Sequence, residues 1–267
     1  MEANMQIGYY SRIYILLVVQ YLKTRMEYRA DFCISLIGMF FMQITGLFSI
    51  WILFQSINQI NDWNAYEILF VFGFAQLVIV PQQVCFDNLW SLGTKLRDGS
   101  FIKYYMRPLN PLFYYASEVF DIKGIGQILI GGITVYYANA HLDIHWDMAT
   151  IAFLFLAYIS SALIVIAMML ISASTIFWTL SQAVMVFTER LKGYSFYPMT
   201  IFQPSIKFLF TYIIPIGFLA FYPMQMLLKP EQMHFPVIVL PLVSLAFISV
   251  AYWLWQTGLK RYEGTGS

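Results

Sequence analysis

Charge is scarce in this chain. Of 267 residues, 15 are Lys or Arg and 14 are Asp or Glu, a share of 11%, against roughly 25% in an ordinary soluble domain. With 60% hydrophobic residues and a mean hydropathy of +0.68, so few charges could not cover a soluble fold of this length. Neither sign is in excess: the net charge is +1, which implies no nucleic-acid partner. The 2 cysteines, Cys33 and Cys85, lie in apolar segments without metal-ligand spacing and read as small buried hydrophobes. No G-x-x-x-x-G-K-[ST] run is present, so the chain has no phosphate-cradling loop of its own. H-E-x-x-H and G-x-S-x-G are missing too, which removes the commonest motif-bearing zinc and serine hydrolases. Internal inverted repeats are not evident. Met1 to Tyr9 is polar and no small-residue cleavage site follows, so no cleavable signal is expected. The terminal Gly264-Thr265-Gly266-Ser267 reads as a tag remnant.

What is present is hydrocarbon-length sequence. Six stretches of more than 18 residues carry no Asp, Glu, Lys or Arg: 32–61, 68–86, 124–142, 148–188, 208–228 and 232–259. Crossing ~30 Å of hydrocarbon takes roughly 20 mostly apolar residues, so the expected fold is all-α, a polytopic membrane protein of six transmembrane helices forming one domain over 1–267. Ahead of these, Tyr10, Ile13, Tyr14, Leu17 and Tyr21 recur at helical spacing and are flanked by Arg12, Lys23, Arg25 and Arg29. That pattern, over about 9–30, predicts an amphipathic helix in the membrane interface.

With the N-terminus inside, the cytoplasmic segments hold those four basic residues together with Lys95, Arg97, Lys103, Arg107, Lys123, Lys260 and Arg261, while the external loops hold only Lys229. This asymmetry places both termini in the cytoplasm. The fifth span is open between two readings. In one, 179–204 is cytoplasmic and 205–227 crosses; Arg190, Lys192 and Lys207 favour it. In the other, about 180–200 is a polar span and 202–228 a broken hairpin dipping into the outer leaflet, favoured by Pro204, Pro215 and Pro223.

Polar residues inside apolar segments are the candidate functional groups. Gln82 and Gln83, beside a kinking Pro81, seek a helix partner or an aqueous path. If 180–200 crosses, Glu189, Arg190 and Lys192 sit at membrane depth and must pair or face a cavity. Spans one, three and six carry no paired acids of the proton-carrier kind. His141-Leu-Asp143-Ile-His145-Trp-Asp147 has metal-like spacing, but it falls in a short external loop where polar residues are expected anyway. No metal site and no catalytic set is assigned. The cytoplasmic stretch 91–117 combines turns, basic residues and exposed-looking aromatics, which the membrane interface or a cytosolic partner should cover.

In that stretch an Asp98-Gly99 turn precedes Arg107-Pro108-Leu109-Asn110-Pro111-Leu112-Phe113. Downstream come Phe177-Trp178, Phe196-Tyr197-Pro198, Ile213-Ile214-Pro215-Ile216-Gly217-Phe218 and Phe221-Tyr222-Pro223. The set resembles the bacterial ABC (ATP-binding cassette) type-2 permeases, and more narrowly a branch once known only as an uncharacterised ABC permease group. The resemblance implies a half-transporter with an N-terminal elbow helix, six spans and a cytoplasmic coupling helix. It places coupling to a separate cytosolic ATPase on Leu92, Lys95, Arg97, Phe101, Tyr104, Tyr105 and Arg107. It also implies a pathway or gate near Gln82, Gln83, Glu189, Arg190, Pro215, Tyr222 and Pro223, and it favours the second reading of the fifth span. On this view the chain carries no cofactor. ATP and Mg belong to the ATPase, a second permease half (the same or a related chain) completes the path, and lipids surround it. The substrate would be amphipathic: lipid-like, a peptide or a drug, exported across the bacterial cytoplasmic membrane. Two readings of other classes stand beside it. One is an integral-membrane enzyme acting on lipids through Asp87, Glu118, Asp121, His141 or His145, the other an ATP-independent carrier.

Overall fold

A computed structural model describes residues 2–27, 29–121, 123–233 and 236–262. Among these the fold is entirely helical apart from one isolated bridge, Ile60 to Trp63. The terminal Gly264–Ser267 segment lies outside the described residues.

The chain opens with α1 (Glu2–Glu27) and α2 (Arg29–Ser56). Tyr10 of α1 meets Phe113 edge-on at 4.8 Å, and the Tyr14 hydroxyl lies 3.6 Å from the Cys85 thiol. α2 buries little: Phe40, Phe41, Met42 and Trp51 all point outward, and among its described side chains Ile50 is the one buried hydrophobic residue. Cys33, expected to be buried, is exposed on this helix. A lone apolar helix with a bare apolar face is natural in lipid, where hydrocarbon is an acceptable neighbour.

α3 (Ala65–Phe86) is the central element, buried around most of its circumference. Asn64 and Glu67 close a reciprocal capping box at its start, which satisfies two otherwise orphaned backbone donors. Pro81 sits inside the helix. After a 3₁₀ turn (Asp87–Ser91) come three short helices, α4 (Leu92–Arg97), α5 (Ile102–Tyr105) and α6 (Pro111–Ser117). The Asn110 side chain caps α6 by accepting from the Leu112 and Phe113 amides, with Pro111 preset at the first helical position.

α7 (Lys123–Asn139) returns along α3. Their crossing is close because it is made through glycine. A Cβ on Gly73 would sit 3.0 Å from the Gly131 carbonyl oxygen, and one on Gly131 would sit 3.1 Å from that of Gly73. Small residues that let helix backbones touch are the usual means of association in lipid, where no water is released to drive packing. α8 (Met148–Ser174), capped by Asp147 accepting from the Thr150 amide, continues into α9 (Ile176–Thr179). It stops at Leu180, which lies in the left-handed region at φ 51°.

From there α10 (Ala183–Lys192) packs along α8, and the 3₁₀ turn that follows it, to Phe196, packs on α3. Gln182 donates to the Trp90 carbonyl, Lys192 reaches Gln82, Phe196 packs on Phe72, and the Thr200 carbonyl accepts from Asn61. Read against the numbering of α3, the segment 180–200 travels that helix from one end to the other. The region 202–228, by contrast, is broken: α11 (Pro204–Phe208) passes into a π-turn (Leu209–Ile213), then a 3₁₀ turn at Ile216–Phe218, then α12 (Phe221–Leu228). The stretch 205–227 forms no single helix, which the first reading of the fifth span required. α13 (Val239–Lys260) closes the fold along α8.

Among the described residues four helices are long and apolar enough to cross a membrane: Cys33–Ser56, Ala65–Arg97, Met148–Thr179 and Val239–Lys260. α7, with 17 residues, is ~26 Å long, short of ~30 Å of hydrocarbon. The buried hydrophobics form two clusters, one around α3, α8 and α12, the other beneath it among α4, α5, α6, α9 and the end of α13.

Candidate functional site

The site region has two parts, separated along α3. The first is the platform built by 87–118. Glu118 is its keystone. Its carboxylate accepts from Lys95 at 2.9 Å, from Lys103 at 2.7 Å, and from the Tyr104 hydroxyl. Asn88 extends the network: its side-chain nitrogen donates to the Tyr115 carbonyl at 2.6 Å, and its side-chain oxygen accepts from Ser91 at 2.8 Å. Tyr115 in turn donates to the Asn88 carbonyl at 2.8 Å. Burial alone would raise the Glu118 carboxyl, but the bonds from Lys103, Tyr104 and Lys95 outweigh it and hold it at about 2. Burial, then the bond to Glu118, pushes the Tyr104 phenol well above its ordinary value.

Leu92, Phe101 and Tyr104, expected as docking residues, are all fully buried. Phe101 sits in a cage of Tyr104, Tyr115, Phe177 and Tyr262 rings with centroids 5.2 to 5.8 Å away. The aromatics that looked exposed in sequence therefore shape the platform from within, because the Asp98-Gly99 turn folds α5 back onto α6. Gly99 adopts φ 73°, and Asp98 accepts from the Ser100 amide at 2.9 Å. Lys95 is committed to Glu118, and Arg97 donates to the Leu180 carbonyl at 2.7 Å, tying the platform to the end of α9. The outward face is made by Ile102, Tyr105 and Met106, with Arg107 exposed and lying over the Tyr114 ring at 5.0 Å.

The second part is a cavity of about 500 Å³ between α2, α3, α7 and α10. Its polar lining comprises Gln43, Gln76, Gln82, Gln83, Gln127, Asp87, Glu189 and Lys192, with Trp90, Phe196 and Tyr197 around them. Lys192 is 2% exposed. It donates to Gln82 at 2.6 Å and pairs with Glu189 at 2.6 Å, and Asp87 lies close enough to act on it electrostatically. Two turns further along α3, a relay of amides crosses the helices: Gln127 donates to Gln76 at 2.6 Å, and Gln76 donates to Gln43.

Of the expected pathway residues, the structure brings Gln82, Gln83 and Glu189 to this cavity. Arg190 is exposed and does not line it. Tyr222 belongs to a separate cavity of about 600 Å³ with Lys207, Thr211 and Gln225. Pro215 and Pro223 are buried and line neither. The amides Gln43, Gln76 and Gln127 were missed as site residues. Their signal was an uncharged amide within a mostly apolar helix, a type that seeks a partner across the bundle.

The acids and imidazoles weighed for lipid chemistry do not converge. Glu118 serves the platform and Asp87 the cavity, while His141 stacks on Tyr66 at 4.2 Å and donates through Nδ1 to the Tyr137 carbonyl. No group of three His, Cys, Asp or Glu is placed to hold a metal among the described residues.

Compared with known proteins, residues 40–266 match the family described as ABC-2 family transporter protein. The match spans most of the chain, and the chain belongs to that family. No curated protein and no solved structure matches it.

Proposed function

We propose that this ABC-2 family permease is the membrane half of an ATP-driven exporter of amphipathic molecules. It is energised by a separate cytosolic ATPase that binds the ATP and Mg. A second permease half, identical or related, faces it. Six spans follow if α7 and the 180–200 segment cross beside the four long helices. α1 then serves as the elbow, and the basic residues keep both termini in the cytoplasm.

The observation that carries this reading is the platform. A docking element must be rigid enough to pass a partner's movement to the helices behind it. Here an apolar outer face of Ile102, Tyr105 and Met106 stands on a base locked by Glu118 and by the Phe101 cage. That base is joined to α3 through the 3₁₀ turn, to α9 through Arg97, and to α13 through the Tyr262 and Trp255 rings. ATP-driven closure at the face would thus bear on three helices at once. Neither the lipid-enzyme reading nor the ATP-independent carrier accounts for a stiff base under an apolar cytosolic face.

Purification of the tagged chain from its native membrane tests this. The expected result is a stoichiometric subunit bearing a G-x-x-x-x-G-K-[ST] loop, lost when Ile102→Glu and Met106→Glu put charge on the outer face. A chain that purifies without such a subunit and sustains flux in liposomes without ATP overturns the reading.

A further inference from the structure

The transport reading leaves open what the cavity binds, and the inventory of its polar atoms narrows the answer. The wall holds two carboxylates and one ammonium, and the ammonium is already engaged. Lys192, the cavity's ammonium group, is surrounded by Gln82, Glu189 and Asp87, so no cation is left over for an anionic ligand. These charged groups also sit towards one end. Gln76 and Asp87 are 11 residues apart, about three turns along α3 and the 3₁₀ segment that follows, a rise of ~16 Å. The far end of the cavity therefore presents only amides.

One of those amides is incomplete. Gln127 is 4% exposed, and its nitrogen donates to Gln76. Its side-chain oxygen is buried without any hydrogen-bond partner. A buried acceptor left unmade is costly, and in a side chain that lines a cavity a turn of the amide offers that oxygen to a ligand. An acceptor needs a donor. A carboxylate or a fully ionised phosphate head has none to give, whereas a hydroxyl has both a donor for Gln127 and acceptors for neighbouring amide nitrogens. Around the polar wall stand Met39, Met42, Phe72 and Phe196, polarisable and aromatic surfaces suited to an alkyl chain and to the flat faces of a ring.

We propose that this cavity is the substrate site of the permease, and that it takes an amphipath with an uncharged, hydroxyl-rich head whose hydroxyl donates to Gln127. The inference rests on the transport reading, but it concerns binding and is tested without ATP.

The full chain is placed in lipid nanodiscs and photolabelled with a diazirine-bearing octyl glucoside. Competitors are octyl glucoside, octyl phosphate and octyl trimethylammonium, all at submicellar concentration. The expected result is saturable labelling of peptides from α2, α3 and α7, competed at least ten-fold better by the glucoside than by either ion. Gln127→Met should weaken half-saturation at least ten-fold, while Phe155→Ala on the outer face of α8 leaves it unchanged. Should Gln127→Met fail to fold, Gln83→Met gives the same readout: Gln83 is half-exposed and has no side-chain hydrogen bond among the described residues. Equal or better competition by the ammonium or the phosphate, labelling that does not saturate, or folded variants that bind as well as the parent would each overturn the proposal. Lost binding with an intact ATPase partner counts against this site alone. Intact binding with no ATPase partner counts against the exporter reading alone.

Discussion

The two polar clusters of this protein use similar residues to opposite ends. The platform gathers Glu118, Lys95, Lys103, Tyr104, Asn88 and Tyr115 and pairs them so fully that one carboxylate accepts from three side chains. The cavity gathers five glutamines, two carboxylates and Lys192, but leaves the Gln127 oxygen unmet and Glu189 about half exposed. A closed network in a low-dielectric setting fixes geometry, while an open one stores a binding preference. The first should fail by losing its shape, and the second by losing its ligand.

The sharpest break in that contrast is Glu118→Ala. It strips the counter-charge from Lys95 and Lys103 and the acceptor from Tyr104 together. A loss of about 2–3 kcal/mol is expected, read as a lowered unfolding midpoint in detergent together with loss of the ATPase partner. The acid limb of the stability profile gives a second readout. The Glu118 carboxyl is held at about 2 in the fold against an ordinary 4.5. A folded value below the unfolded one means its contribution is complete above about 4.5 and fades as pH falls towards 2. Glu118→Gln should remove that part of the acid-induced decline. An equally steep decline in the variant would show that another carboxylate governs it.

Lys192→Met is the matching test on the cavity side, with a smaller cost. The Lys192 ammonium is buried, but Glu189 is about half exposed and can turn to solvent when its partner goes, so only the bond to Gln82 is wholly forfeited. About 1–2 kcal/mol is expected. Transport should suffer more than the unfolding midpoint, reversing the order expected at Glu118. Equal damage to both properties would make Lys192 a framework residue like Glu118 and erase the distinction between the clusters.

Much of this was legible in sequence, for physical reasons that differ by element. α2, α3, α8 and α13 announced themselves because a hydrocarbon-length run has few other uses. The caps Asn64, Asn110 and Asp147 were not read in advance, although short polar side chains are the usual ones to precede a helix. The path of 180–200 was not legible. Glu189 and Lys192 fit either a loop or a polar span, and the group that gives Lys192 its setting, Gln82, lies 110 residues away. Phe101 and Tyr104 misled for the converse reason. Aromatics next to Lys95 and Lys103 look like surface in one dimension, but a single left-handed glycine turns them inward. Glu118 was noticed only as a stray acid, since nothing local reveals that three donors will converge on it.

That glycine sets the smallest and most local test. Gly99 holds φ 73° between α4 and α5, and its carbonyl accepts from the Ile102 amide, which starts the return of α5. An alanine there meets the left-handed penalty of about 1 kcal/mol, while every side chain of the Glu118 network remains in place. If the platform acts by shape, Gly99→Ala should loosen the α4–α5 turn and weaken ATPase binding several-fold with the unfolding midpoint nearly unmoved. Photolabelling of the cavity should be the same as in the parent, since the two clusters are joined by α3 and not by this turn. A change in cavity binding from so small a perturbation would mean that the platform and the cavity behave as one unit, with Asp87 and Trp90 at the foot of α3 as the link between them.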